Sequence, residues 1–191
     1  MIDWLQGEGV IIHPVDPELV CGGGDSAGGN TTAAIGLRRR DEGKKNLAVQ
    51  MLMYSEATIP FDTPAATEKI TGFYLECSGI FPFEDHYLPR GVTPALKNIS
   101  PGMQSLENLA GVPFAVFTSG FDPLRVVGVE YAHNLDSAGN KVHWHHYSDG
   151  WLQMTGWSQD AVTAVEDVAK EIRALAYGSS WIFRVRWICL G

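Results

Sequence analysis

The residues best equipped for chemistry lie between Cys21 and Asn30, Cys-Gly-Gly-Gly-Asp-Ser-Ala-Gly-Gly-Asn. Gly24-Asp25-Ser26-Ala27-Gly28 fits Gly-x-Ser-x-Gly, in which a strand turns sharply into a helix and holds its serine in strained backbone geometry. The hydroxyl then stands clear of both elements, as a nucleophile must, and needs a neighbouring base to take its proton. Glycines at 24 and 28 are expected because a Cβ at either place would collide with the adjoining strand or helix. The same stretch also fits Gly22-x-Gly24-x-x-Ala27, a dinucleotide fingerprint. That reading wants an acidic residue roughly 20 positions on, and the next strand ends late for it, near Tyr54-Ser55-Glu56.

Asp122 is the second chemical candidate. It follows the apolar run Val112 to Thr118, and ligands in open α/β sheets bind at the carboxyl ends of strands. An aspartate there either orients a histidine or caps the next helix. Three histidines, His143, His145 and His146, lie on the strand pattern Lys141 to Tyr147. Alternation sends His146 to the face opposite the other two, and His146 sits nearest the following loop, which makes it the candidate base. His143 and His145 are too few for a catalytic zinc site, so no metal is expected, and no organic cofactor.

Behind these residues the pattern is α/β. Leu19-Val20-Cys21 is a short apolar run introduced by Pro14-Val15-Asp16-Pro17, and it reads as a buried strand leading to the elbow. Ala33, Ala34, Ile35 and Leu37 give the following helix an apolar face. Its charged end, Arg38 to Lys45, reads as solvated, with Gly43 as the stop. Leu47 to Tyr54 reads as a central parallel strand. Residues 55 to 110 carry scattered prolines and the aromatics Phe73, Tyr74, Phe81, Phe83 and Tyr87 with little periodicity, and read as an irregular, lid-like connection. Val126 to Ala138 is a helix. A last helix starts from an N-cap at Ser158, with Val162, Val165, Ala169, Ile172 and Ala176 on one face and Gly178 as its end. Residues 1 to 15 read as a helix end and connector, and 179 to 191 as an unassigned tail.

A chain of 191 residues, 45% hydrophobic, is long enough for one domain with a real core. Its net charge of −8 argues against nucleic acid and anionic membranes, and no apolar run reaches the length of a membrane span. The amino terminus has no signal-peptide pattern. Three widely spaced cysteines form neither a disulfide framework nor a zinc pattern. A cytoplasmic location is expected.

The elbow, Tyr54 closing the next strand, Ile99-Ser100-Pro101, Phe121-Asp122-Pro123-Leu124-Arg125 and Leu152-Gln153-Met154 together resemble the α/β-hydrolase esterases related to hormone-sensitive lipase. The resemblance runs from about Asp16 to Tyr177 and implies residues 1 to 178 as part of an α/β-hydrolase domain, its carboxyl-terminal portion. It implies hydrolysis of small-molecule carboxylic esters by Ser26, with Asp122 orienting a histidine and the Ala27 N–H giving one oxyanion bond. Two departures stand out. No His-Gly-Gly-Gly-type oxyanion loop precedes Ser26. Matching Gly150-Trp151-Leu152-Gln153-Met154 to the family puts Asp149 where the catalytic histidine belongs, and a carboxylate is a poor proton shuttle at neutral pH. The chain is therefore expected to be an impaired or inactive esterase with an exposed sheet edge prone to self-association. A non-catalytic binding module is the alternative, and a dinucleotide-binding domain a further one.

Overall fold

The computed structural model describes residues 1–59, 62–69, 71–111, 114–148 and 152–178. Asp149, Gly150, Trp151 and the 179–191 tail lie outside the described residues, as do the side chains of Phe81 and Phe83.

Four strands form one sheet: β1 (Gly22–Asp25), β2 (Gln50–Met53), β3 (Phe114–Ser119) and β4 (Val142–Tyr147). They lie in the order β1-β2-β3-β4 and all neighbours are parallel. The first strand is the glycine run itself, one step later than the apolar residues Leu19 to Cys21 suggest. It begins where Gly22 N–H reaches the Val49 carbonyl. Strand β3 is buried at all six positions, as expected of a parallel strand covered on both faces.

Pleating divides the core in two. On one face Leu52, Phe114 and Val116 pack with Ala33 and Leu37 of α3 (Ala27–Asp41) and with Tyr131, Ala132 and Leu135 of α6 (Arg125–Ser137). On the other, Val49, Met51, Ala115 and Phe117 meet Val168, Ile172 and Leu175 from α7 (Gln159–Ile172) and the π-turn that follows it. The Ser158 hydroxyl caps α7 by accepting from the Ala161 N–H. The helix is rotated from the face read in the sequence: Ala161 and Ala164 are buried while Val165 is exposed.

Three further expectations change. The amino-terminal segment forms two short helices, α1 (Ile2–Leu5) and α2 (Gly9–Ile12). Arg39, read as solvated, is buried and donates to Asp3 Oδ1 at 2.6 Å, to Gln6 Oε1 at 2.6 Å and to the Lys45 carbonyl at 3.0 Å. A buried guanidinium requires acceptors for its donors, and Asp3 of α1 and Gln6, which caps its end, supply two of them. Residues 55 to 110 are not structureless: they hold α4 (Pro64–Glu68) and α5 (Cys77–Tyr87). Ala66, Cys77 and Ile80 form a core cluster with Leu124 and Val127, which ties this connection to α6. No helix among the described residues is long and apolar enough to cross a membrane.

Candidate active site

Ser26 ends β1 and precedes α3 with φ 49° and ψ −120°, a conformation non-glycine residues adopt only when their surroundings impose it. The imposing contacts are visible. Its N–H donates to the Met53 carbonyl at 2.9 Å, and its own carbonyl accepts from the Gly29 and Asn30 N–H groups. Its hydroxyl makes no hydrogen bond among the described residues, and the side chain is half-buried.

The glycine requirement falls only partly where the pattern suggests. A Cβ on Gly24 would sit 2.5 Å from the Gly28 carbonyl carbon, and one on Gly29 would sit 2.9 Å from Ser55 Cβ and Oγ. Gly28 itself faces open space. The tight positions are therefore Gly24, where strand passes helix, and Gly29, where the helix passes the end of β2. Ala27 is the first residue of α3, and helix geometry leaves its N–H without an intrahelical acceptor.

Two buried polar residues brace this elbow. Asn30 donates to the carbonyls of Glu56 and Ile99, and the Ser100 hydroxyl both accepts from the Ile59 N–H at 2.9 Å and donates to the Ile59 carbonyl at 3.1 Å. The Ile99-Ser100-Pro101 stretch thus fastens residues 56 to 59 beneath α3.

A second brace comes from the other end of the chain. Tyr54, another non-glycine residue at positive φ (38°), points its hydroxyl toward the turn at Leu152–Met154. There it accepts from the Leu152 N–H and donates to Gln153 Oε1, both at 3.4 Å. Gln153 Nε2 in turn donates to Asp25 Oδ2 at 3.2 Å. Burial pushes the Tyr54 hydroxyl up to about 12, so it remains a donor. The turn after β4 is thereby clasped to the residue beside the serine, a connection that no local pattern in the sequence announces.

Asp122 is fully buried in the loop after β3. Oδ1 accepts from the Leu124 N–H at 2.9 Å, while Oδ2 has no partner among the described residues. Burial is the largest influence and raises its pKa from 3.8 to about 7, against the smaller lowering by the Leu124 N–H and by Arg125. Such a half-satisfied carboxyl is suited to receiving one more donor.

The histidines divide as alternation requires. His143 Nδ1 and His145 Nε2 meet the two oxygens of Glu171 on α7 at 2.5 and 2.8 Å, and they hold Glu171 below the usual carboxylate range against the opposing effect of burial. Glu171 was not visible as their partner in the sequence, being 26 and 28 positions away. No group of three metal-ligating side chains occurs among the described residues. His146 points to the other face. Its Nδ1 lies 2.8 Å from Thr118 Oγ1, which also accepts from Trp144 Nε1. It lines a groove of about 440 Å³ with Arg125, Val126, Val129, Glu130 and Trp144. Three strand spacings, roughly 14 Å, separate β4 from β1, and no hydrogen bond joins His146 to Ser26 or Asp122. The structure therefore puts Ser26 and Asp122 at carboxyl ends of β1 and β3, and leaves His146 far from Ser26 and not hydrogen-bonded to Asp122.

A sequence model of the family described as alpha/beta hydrolase fold matches residues 1–154. The chain belongs to the α/β-hydrolase fold family. Among relatives of this hydrolase-fold chain, the carboxylic ester hydrolase LipN of Mycobacterium tuberculosis is 37% identical over 132 residues, 66% of this chain and 35% of LipN. The esterase LipI of the same organism is 34% identical over 162 residues, 81% of this chain and 49% of LipI. Of solved structures, a thermostable esterase from Pseudomonas putida superimposes with a TM-score of 0.84 at 26% identity, covering 92% of this chain and 56% of that one. A study of two Rhizomucor miehei esterases supplies another at TM-score 0.81 and 26% identity, covering 92% and 57%. The chain spans at most about half the length of these curated relatives.

Proposed function

We propose that the chain carries the nucleophile and the orienting acid of a serine carboxylic ester hydrolase acting on small-molecule esters, and that by itself it turns such esters over at no more than background rates. The observation that carries the first part is Ser26, held at φ 49° with its hydroxyl making no hydrogen bond among the described residues. In this reading Ser26 Oγ attacks the ester carbonyl, and the Ala27 N–H donates to the oxyanion. Asp25, Gly24 and Gly28 complete the elbow around it; the C–O bond to the alcohol then breaks, the alcohol leaves with the proton taken from the serine, and water attacks the acyl-serine to free the carboxylic acid and restore the hydroxyl. Asp122 Oδ2 would hold the N–H of a histidine and so fix the tautomer that accepts the serine proton.

The second part rests on what faces those groups. Asp122 Oδ2 is unpartnered and His146 is hydrogen-bonded to Thr118, so no base stands between acid and nucleophile among the described residues. In a comparable serine enzyme, loss of the histidine alone costs about 10⁶ in kcat, and one missing oxyanion donor costs roughly 2.7–4 kcal/mol more. The test is hydrolysis of a short-chain aryl ester by the purified chain beside Ser26→Ala. Equal rates are expected. Turnover abolished in Ser26→Ala would show that a base does reach Ser26, overturning the impaired reading, and His146→Gln would then be assayed.

A binding role has one observation in its favour. Strand β1 pairs only with β2 among the described residues, so by alternation the N–H groups of Gly23 and Asp25 point outward, ready to pair with another strand. Concentration-dependent self-association in sedimentation would support it. Dinucleotide binding has no comparable support, and the family membership argues against it. A cytoplasmic location remains part of the proposal, supported by Cys21 being a free thiol.

A further inference from the structure

Lys69 closes α4, with its N–H on the Ala65 carbonyl at 3.0 Å and its own carbonyl accepting from the Cys77 N–H at 3.1 Å. The backbone on both sides is therefore fixed, and the side chain is only 12% exposed. Its ammonium lies 4.3 Å from the centroid of Phe73 and 5.3 Å from that of Phe121. The two rings are stacked 6.1 Å apart at 25°. An ammonium has three protons to donate, yet this one makes no hydrogen bond among the described residues. Its one carboxylate neighbour among the described residues, Glu68 Oε2, stands at 4.0 Å and is shared with Arg125 Nη2 at 3.3 Å. Two cations thus face one carboxylate, a locally positive place in a chain of net charge −8.

Phe121 is half exposed and directly precedes Asp122. An apolar ring surface therefore lies open beside a poorly hydrated, under-bonded cation, at the carboxyl end of the sheet where Ser26 and Asp122 also lie. Ring faces can hold a flat hydrophobic group but cannot satisfy N–H donors as an anion does. We propose that Lys69, Phe73 and Phe121 form a binding site for an aromatic carboxylate, its ring on Phe121 and its carboxylate on the Lys69 ammonium. As a substrate subsite this would favour esters that carry an aromatic acid group, and that extension rests on the ester-hydrolase reading. The binding site itself does not.

The experiment is calorimetric titration of benzoate, with benzyl alcohol as the uncharged counterpart, into the full chain and three variants. Benzoate is expected to bind the parent and Ser26→Ala equally and Lys69→Met about tenfold or more weakly, the scale of a charge-assisted hydrogen bond. Benzyl alcohol should bind weakly and without regard to residue 69. Glu68→Gln, which removes the competing carboxylate, should tighten benzoate, and it serves where Lys69→Met fails to fold. Equal benzoate affinity for parent, Lys69→Met and Glu68→Gln, or no binding to the parent at millimolar benzoate, overturns the proposal. Because Ser26→Ala is included, loss of the hydrolase reading and loss of this site would be told apart.

Discussion

Replacing Ser26 by glycine should stabilise the protein although it removes a side chain. At φ 49° a serine stores strain of about 1–3 kcal/mol, which glycine does not feel. Against this stands the greater freedom of glycine in the unfolded chain, worth about 0.4–1 kcal/mol. The hydroxyl has no hydrogen-bond partner to lose among the described residues, so Ser26→Ala should stay within about 0.5 kcal/mol of the parent. The net expectation is a gain of roughly 1 kcal/mol for Ser26→Gly over Ser26→Ala. For a chain of this length that is a rise of about 2–4 °C in Tm. Urea unfolding of both variants at one pH measures it directly, provided m is unchanged. A glycine variant no more stable than the alanine variant would show that the elbow carries no strain at residue 26, and the argument for an imposed nucleophile geometry would go with it.

Asp122 gives a pH-dependent prediction. Its folded pKa of about 7 lies above the unfolded 3.8, so the folded state holds the proton more tightly and this group makes stability fall as pH rises from about 4 to 7, levelling off above. Asp122→Asn removes that dependence, and thermal melts should show the variant gaining on the parent across this window, by up to a few kcal/mol at pH 8. Identical pH profiles would refute the buried-carboxyl assignment. At the elbow, Gly24→Ala should cost about 2–3 kcal/mol, because its Cβ meets the Gly28 backbone. Gly28→Ala should be neutral or stabilise by up to about 1 kcal/mol, since it faces open space in a helix. Melting temperatures of the pair decide this, and equal losses would contradict it.

The strands and the elbow were legible because each is a short-range pattern: β-type runs ending in glycine, then small residues at helical spacing. What the sequence concealed depends on partners far along the chain. Arg39 sits within a run of three arginines, and nothing local distinguishes the one that the amino-terminal segment buries through Asp3 and Gln6. Helix α5 contains Pro82, which argues against a helix on propensity alone, yet Cys77 and Ile80 are held by Leu124 and Val127, so tertiary packing overrides it. Glu171 could not be assigned to His143 and His145 without knowing that α7 lies over β4. Gln153 was read only as a family motif, and its reach to Asp25 and Tyr54 is a property of the assembled sheet.

That clasp also fixes an order of events. Gln153 meets Asp25 across 128 positions and Tyr54 across 99, so closing it carries a loop entropy on the order of 4 kcal/mol that the hydrogen bonds alone do not offset. The strands before it must already be aligned when it forms. Whatever loosens β1 against β2 is therefore expected to loosen this clasp with it, so that the carboxyl end of the sheet opens when the strands lose their alignment.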